Sequence, residues 1–195
     1  VLDELIYTIL SQNTTAKNCN EAFRRLSERF RTWDEARLAR WEEIAEPIRV
    51  GGLANRKAPR IKRLIEQLHE RQGSLELGWI ATASEAEAID FLMGFDGVGR
   101  KTATCVLMFG LGRPVMPVDT HVHRVSTRLG LIGKMSPEMA HDALQAIVPR
   151  EDAYSLHINM VTHGRLVCRA RGLECSRCCI SGDCDYYAEQ SETNR

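Results

Sequence analysis

Apolar residues recur at three- and four-residue spacings along most of the chain. Leu2, Leu5, Ile6, Ile9 and Leu10 form one stripe, and Phe23, Leu26 and Phe30 form a second. Ile61, Leu64, Ile65 and Leu68 form a third, and Leu144, Ile147 and Val148 a fourth. This is the period of helices that bury one face. Ser84-Glu85-Ala86-Glu87 and Ser136-Pro137-Glu138 place a side-chain oxygen where it can cap the free amides of a helix start. Gly73, Gly110, Gly130 and Gly172 stand where helices can stop. The one stretch of extended character, Pro114 to Val118, is too short to build a sheet. The pattern predicts an all-α protein of about ten short helices, without a fixed-period repeat or a low-complexity tract.

Length and composition narrow the class. A chain of 195 residues fits one compact domain or two small lobes. Hydrophobic residues at 44% and charged residues at 27% are ordinary for a globular protein, which argues against disorder. No stretch free of Asp, Glu, Lys and Arg exceeds 12 residues, and a membrane-spanning helix needs about 20 apolar ones. The opening VLDELIYTIL carries two acids and no basic start, unlike a signal peptide. It begins in mid-pattern, as if residues preceded Val1.

Lys+Arg and Asp+Glu are 26 each, so the net charge is zero. Their distribution is uneven. Arg49 to Ile65 holds six basic residues (Arg49, Arg56, Lys57, Arg60, Lys62, Arg63) and no acid. Arg100 to Lys134 holds six against Asp119 alone, and His163 to Arg171 holds three against none. Ser74 to Asp96 is the reverse, with five acids and no base. Each run alone reads as a solvated helix face; three acid-poor basic runs together favour a polyanion partner.

Two constellations carry candidate chemistry. In Gly97-Val98-Gly99-Arg100-Lys101-Thr102-Ala103, apolar residues lead into a glycine turn and a helix begins near Arg100. The glycines permit positive φ and leave no side chain in the way, so backbone amides can converge on an anion such as a phosphodiester. A plain helix–helix turn has the same pattern. Lys101 falls in the first helical turn, where the helix dipole and partial burial both disfavour an ammonium. Asp119 stands where it can cap the next helix, Asp119-Thr120-His121-Val122-His123. The second constellation is Cys168, Cys175, Cys178 and Cys184, a C-x6-C-x2-C-x5-C pattern. An odd total of seven cysteines argues against a disulfide framework. Four thiolates this close can wrap one metal centre, and spacing alone leaves both an iron–sulfur cluster and zinc open. Cys19 and Cys105 read as buried apolar residues, and Cys179 lies outside the pattern.

GVGRKTA, with VDTHVHRV beginning 17 residues after Lys101, resembles the helix-hairpin-helix DNA glycosylases, and most of all the endonuclease III family. The cysteine spacing matches the [4Fe–4S] motif of that family, and the likeness runs from the Leu10-Ser11-Gln12 loop to Cys184. One departure is Asp96, where the family usually has proline. The resemblance implies two helical lobes, a six-helix lobe over 1–113 and a cluster lobe over 114–195, with Lys101 and Asp119 facing one another across a cleft. It implies a bifunctional glycosylase and abasic-site lyase for oxidised pyrimidines. In that reaction Lys101 attacks C1′ and Asp119 steadies the oxocarbenium character that develops there.

The resemblance also implies a set of DNA contacts. Gly97, Val98, Gly99 and Arg100 hold a phosphate. Gln12 and Asn13 are both candidates for a residue inserted into the duplex. Leu53, in a Gly52-Leu53-Ala54-Asn55 turn like the family's GLYN, is an apolar wedge, followed by Arg56 and Lys57. Arg169 and Arg171 meet phosphates from a loop pinned by the cluster. His121, His123, His157 and His163 read as packing or phosphate contacts. The implied partner is double-stranded DNA with damaged or abasic sites, bound by a monomer in the cytoplasm or at a bacterial nucleoid. A non-catalytic DNA-binding module and a thymine- or uracil-mismatch glycosylase are the alternatives. Retention of both Lys101 and Asp119 speaks against the first.

Overall fold

The computed structural model describes residues 1–193, which hold eleven α-helices and no strand. No helix among them is long and apolar enough to cross a membrane. Backbone contacts divide the chain into two compact units, Val1–Gly112 and Arg113–Arg195.

The first unit contains α1 (Leu2–Ser11), α2 (Ala16–Arg29), α3 (Trp33–Leu38), α4 (Trp41–Ala45), α5 (Ala54–Gln72), α6 (Glu85–Met93) and α7 (Arg100–Cys105). Seven helices stand where six are expected, because extended backbone at Ala39 and Arg40 separates α3 from α4. The apolar stripes become the core. Leu5, Ile6, Ile9 and Leu10 of α1 are fully buried, as are Leu26 of α2 and Ile61, Leu64 and Ile65 of α5. Local chemistry sets the helix ends. Ser84 accepts from the Glu87 amide and Glu87 reaches back to Ser84, a reciprocal cap on α6. Gly73 closes α5 in the left-handed conformation. Gly110 is not a stop: α7 runs on through one wider turn over Val106–Gly110, and Gly112, at φ +65°, makes the reversal by donating to Met108 O at 3.1 Å. Gly110 instead lets α1 pack closely, since a Cβ there would sit 3.1 Å from that of Glu4.

The second unit contains α8 (Thr120–Leu129), α9 (Pro137–Ile147), α10 (Ala153–Leu166) and α11 (Asp185–Thr193). Its organising feature is the extended Pro114–Val118 segment, whose polar backbone is buried and needs partners. Gln145 Oε1 accepts from the Met116 amide at 2.8 Å and its Nε2 donates to Pro114 O at 3.3 Å. His141 Nδ1 donates to Met116 O at 3.2 Å, and His157 Nδ1 to Pro117 O at 2.9 Å. His157 is therefore a core residue whose polar atom serves the backbone. Two expectations change. Ile147 is half exposed at 52%, and α9 buries Ala140, His141 and Leu144 instead. Gly172 ends no helix; α10 stops at Leu166, and Gly172 lies in the loop beyond.

Ile65 lies wholly inside the first unit, against α5's neighbours. Ile65→Ala is expected to cost about 3 kcal/mol, read as a shift of the urea midpoint at constant slope. A cost below about 1 kcal/mol would mean that this face is not a packed core.

Candidate nucleic-acid interface and catalytic residues

The hairpin runs from α6 through Gly94-Phe95-Asp96-Gly97-Val98-Gly99 into α7. Val98 is buried and its amide donates to Phe95 O at 3.0 Å, so the turn is anchored from inside. Gly97 sits at φ +77°, and a Cβ there would also overlap the guanidinium of Arg60. Gly99 differs from the expected positive φ. Its backbone is extended at φ −92°, and a Cβ would meet nothing within 4 Å. Nothing inside the protein requires glycine at 99; the missing side chain leaves open space outside it. As the N-cap of α7, Gly99 supplies no side chain to the first-turn amides. Arg100 and the partly buried Lys101 follow directly. Asp96 is paired: its carboxylate accepts from Arg63 at 3.0 Å and its amide donates to Gln67 at 3.3 Å.

Two loops of the same unit carry its strained backbone. Among the described residues, Asn13 (φ +52°) and Leu53 (φ +54°) are the non-glycines in the left-handed region. Leu53 costs roughly 1–2 kcal/mol relative to ordinary backbone and is an outlier there, whereas Asn13 costs less because asparagine tolerates this region better than other non-glycines. Leu53 nevertheless holds its apolar side chain 45% exposed. Gln12 is held in place, its Oε1 accepting from Arg60 NH1 at 2.9 Å. Arg60 thus touches both the first loop and the hairpin turn. Arg56 is exposed beside Leu53.

In the second unit Asp119 caps α8. Its Oδ1 accepts from the amides of His121 and Val122, each at 2.8 Å. Both capping bonds fall on one oxygen, so the carboxylate is oriented while Oδ2 takes no part in the cap. His121 Nδ1 meets Arg124 at 3.0 Å and His123 Nε2 donates to Met135 O at 2.9 Å. Both histidines are partly buried and have local hydrogen-bond partners.

Cys168, Cys175, Cys178 and Cys184 line one cavity together with Val125, Arg128, His163 and Tyr187. Among the described residues, however, no three His, Cys, Asp or Glu side chains form a group that could hold a metal ion. The thiols surround a common space without converging within it. Arg128 NH1 donates to Cys168 Sγ at 3.3 Å, and Cys184 Sγ donates to Arg128 O at 3.3 Å. Arg169 and Arg171 are exposed on the intervening loop, Arg169 lying 3.3 Å from Glu174.

The profile of the HhH-GPD superfamily of base excision DNA repair proteins matches residues 6–150. The chain belongs to that superfamily. It is 33% identical over 188 residues to endonuclease III of Thermotoga maritima, covering 96% of this chain and 84% of that one. Its fold is similar to that of a non-covalent endonuclease III–DNA complex, with TM-score 0.80 and 32% identity over 97% of this chain and 85% of the other. It is equally similar, with TM-score 0.80 and 32% identity, to endonuclease III trapped as a covalent intermediate on DNA, over 96% of this chain and 84% of that one.

One expected contact of this HhH-GPD protein is corrected. Lys57 is 4% exposed and cannot lie on a DNA-facing surface. Its Nζ donates to Leu10 O at 2.6 Å and Gly51 O at 3.0 Å. Three arginines counted only as members of basic runs have particular tasks. Arg60 joins the Gln12 loop to the hairpin turn. Arg124 donates to Gly164 O at 2.7 Å and Cys168 O at 2.9 Å, and Arg128 to Arg169 O at 2.8 Å. The four-residue spacing of Arg124 and Arg128 places them on one face of α8, which was the available signal. Arg60 had none, since Gln12 lies 48 residues away.

The strain at Leu53 gives a test. Glycine adopts its backbone freely but is more costly to order, so Leu53→Gly is expected to leave stability within about 1 kcal/mol of wild type. It should also weaken binding to lesion-bearing duplex. A thermal-unfolding loss well beyond that figure would show that the leucine is a packing residue.

Proposed function

We propose that the protein is a base-excision-repair DNA glycosylase with abasic-site lyase activity, acting as a monomer on oxidised pyrimidines in duplex DNA, in the cytoplasm or at a nucleoid. One observation carries the reading: Asn13 and Leu53, the non-glycines in left-handed backbone among the described residues, occupy the two loops expected to penetrate the duplex. A protein that only clamps DNA has no use for strained wedges; one that extrudes a nucleotide must fill the gap it leaves.

In this reading the backbone at Gly97 to Arg100 receives a phosphate, with Gly99 giving it room. Gln12 or Asn13, and Leu53, enter the stack, while Arg56, Arg169 and Arg171 meet phosphates. The unprotonated amine of Lys101 attacks C1′. The C1′–N bond breaks, its electron pair leaves with the base, and the base takes up a proton. The Asp119 carboxylate, held by two amides, stabilises the cationic character at C1′ without reorganising. The amine loses its proton and the sugar ring opens to an imine. Loss of a C2′ proton then expels the 3′ phosphate, and water releases the lysine.

Cys168, Cys175, Cys178 and Cys184 are the residues that would hold a [4Fe–4S] cluster. Support comes from the donor set, four thiols around one cavity, with the Arg128 guanidinium beside Cys168 to offset their charge as thiolates. The cluster would supply a structural clip for the loop that carries Arg169 and Arg171, since binding energy at such a site is folding energy. All-thiol ligation suits zinc as well, so colour discriminates.

Borohydride is expected to trap the protein covalently on duplexes carrying an abasic site or thymine glycol, and Lys101→Ala should give no adduct. Adduct formation by that variant would remove Lys101 from the role. DNA binding without nicking by the wild type would leave a clamp, and preferential release of mismatched thymine or uracil would reassign the substrate. Freshly purified protein should be yellow-brown with broad visible absorption, and Cys175→Ser should lose both colour and thermal stability. Colourless protein containing zinc would overturn the cluster.

A further inference from the structure

Lys57 is a cation inside the first unit. Burial pushes its ammonium below the usual lysine range, because a desolvated charge is costly unless its protons are taken up. Its recorded acceptors are two backbone carbonyls, Leu10 O at 2.6 Å and Gly51 O at 3.0 Å. These carbonyls lie at the roots of the two strained loops. Leu10 precedes Gln12 and Asn13, and Gly51 precedes Gly52 and Leu53. Lys57 stands 47 residues along the chain from Leu10 and 6 from Gly51, and its single ammonium joins the two loops.

Left-handed backbone at a non-glycine residue persists only where its surroundings over-determine it. A loop free to relax to negative φ would carry its side chain away from the direction it now holds. Lys57 supplies a shared anchor for both loops. We propose that Lys57 is a positioning residue for duplex opening: its buried ammonium ties the Gln12–Asn13 loop to the Gly52–Leu53 turn, so that the two wedges enter DNA as one rigid unit. This rests on the wedge roles proposed above, and it assigns to Lys57 no contact with DNA or with the reacting sugar.

The test is Lys57→Met, which keeps the length of the side chain and removes its donors, assayed where circular dichroism shows it folded. Two substrates are compared in single turnover: an abasic site within a full duplex, and the same site in an unpaired bulge that needs no opening. Duplex nicking is expected to fall about tenfold or more, while bulge nicking stays within about twofold of wild type. Equal losses on both substrates, or no loss on either, would overturn the proposal. Wild-type protein unable to nick either substrate would instead sink the glycosylase reading. Hydrogen exchange on the unmodified protein decides the matter should the variant not fold. The amides of residues 12–14 and 52–54 are expected to open together, and protection differing by more than about tenfold between the two loops would overturn the tie.

Discussion

An ammonium almost out of reach of water has to give its protons to the protein, and in this molecule they go to main-chain carbonyls. That constraint organises the first unit. Lys57 cannot leave its pocket without stranding Leu10 O and Gly51 O, and those two groups begin the loops that hold Asn13 and Leu53 in left-handed backbone. Arg60, three residues along α5, works in the same direction. It donates to Gln12 and lies over Gly97, where only the absence of a side chain leaves it room. One helix, α5, therefore sets the first loop, the Leu53 turn and the hairpin. The cation and the guanidinium fasten these loops to that one helix.

The second unit repeats the device with α8. Its N-terminus orients the Asp119 carboxylate through two amides. Its outward turns carry Arg124 and Arg128, whose forks bind the carbonyls of Gly164, Cys168 and Arg169. The proposed electrostatic group and the cysteine-bearing loop are thus fastened to one rigid element. Arginine suits this task because its planar donors serve several carbonyls at once. Charge is managed locally as well: Asp96 is paired with Arg63, and Glu174 lies between Arg169 and Arg177. The acids at these two places, Asp96 and Glu174, are taken up by neighbouring arginines.

Much of this was legible in the residue order, and particular residues show where legibility ends. The stripes of α1 and α5, the caps at Ser84, Ser136 and Asp119, and the glycine turn at 97 are local matters of spacing and hydrogen-bonding chemistry. Periodicity failed at Ile147, because which face of α9 is buried depends on the extended Pro114–Val118 segment that Gln145 and His141 must satisfy. The glycine stop signal failed at Gly110, whose small size serves α1 rather than a turn. The cysteine spacing was plain, but spacing says nothing of how far apart the thiols lie.

By itself the sequence determined the helical class, the helix starts, the hairpin and the family, since each depends on residues within a few positions of one another or on motifs that carry their own chemistry. Tertiary structure alone decided the fate of the basic residues. Lys57, Arg60 and Arg56 belong to one charge run, yet one is buried, one is an internal brace and one faces water. Charge is a property of a side chain, whereas its solvation and its partners are properties of whatever the rest of the chain brings alongside it.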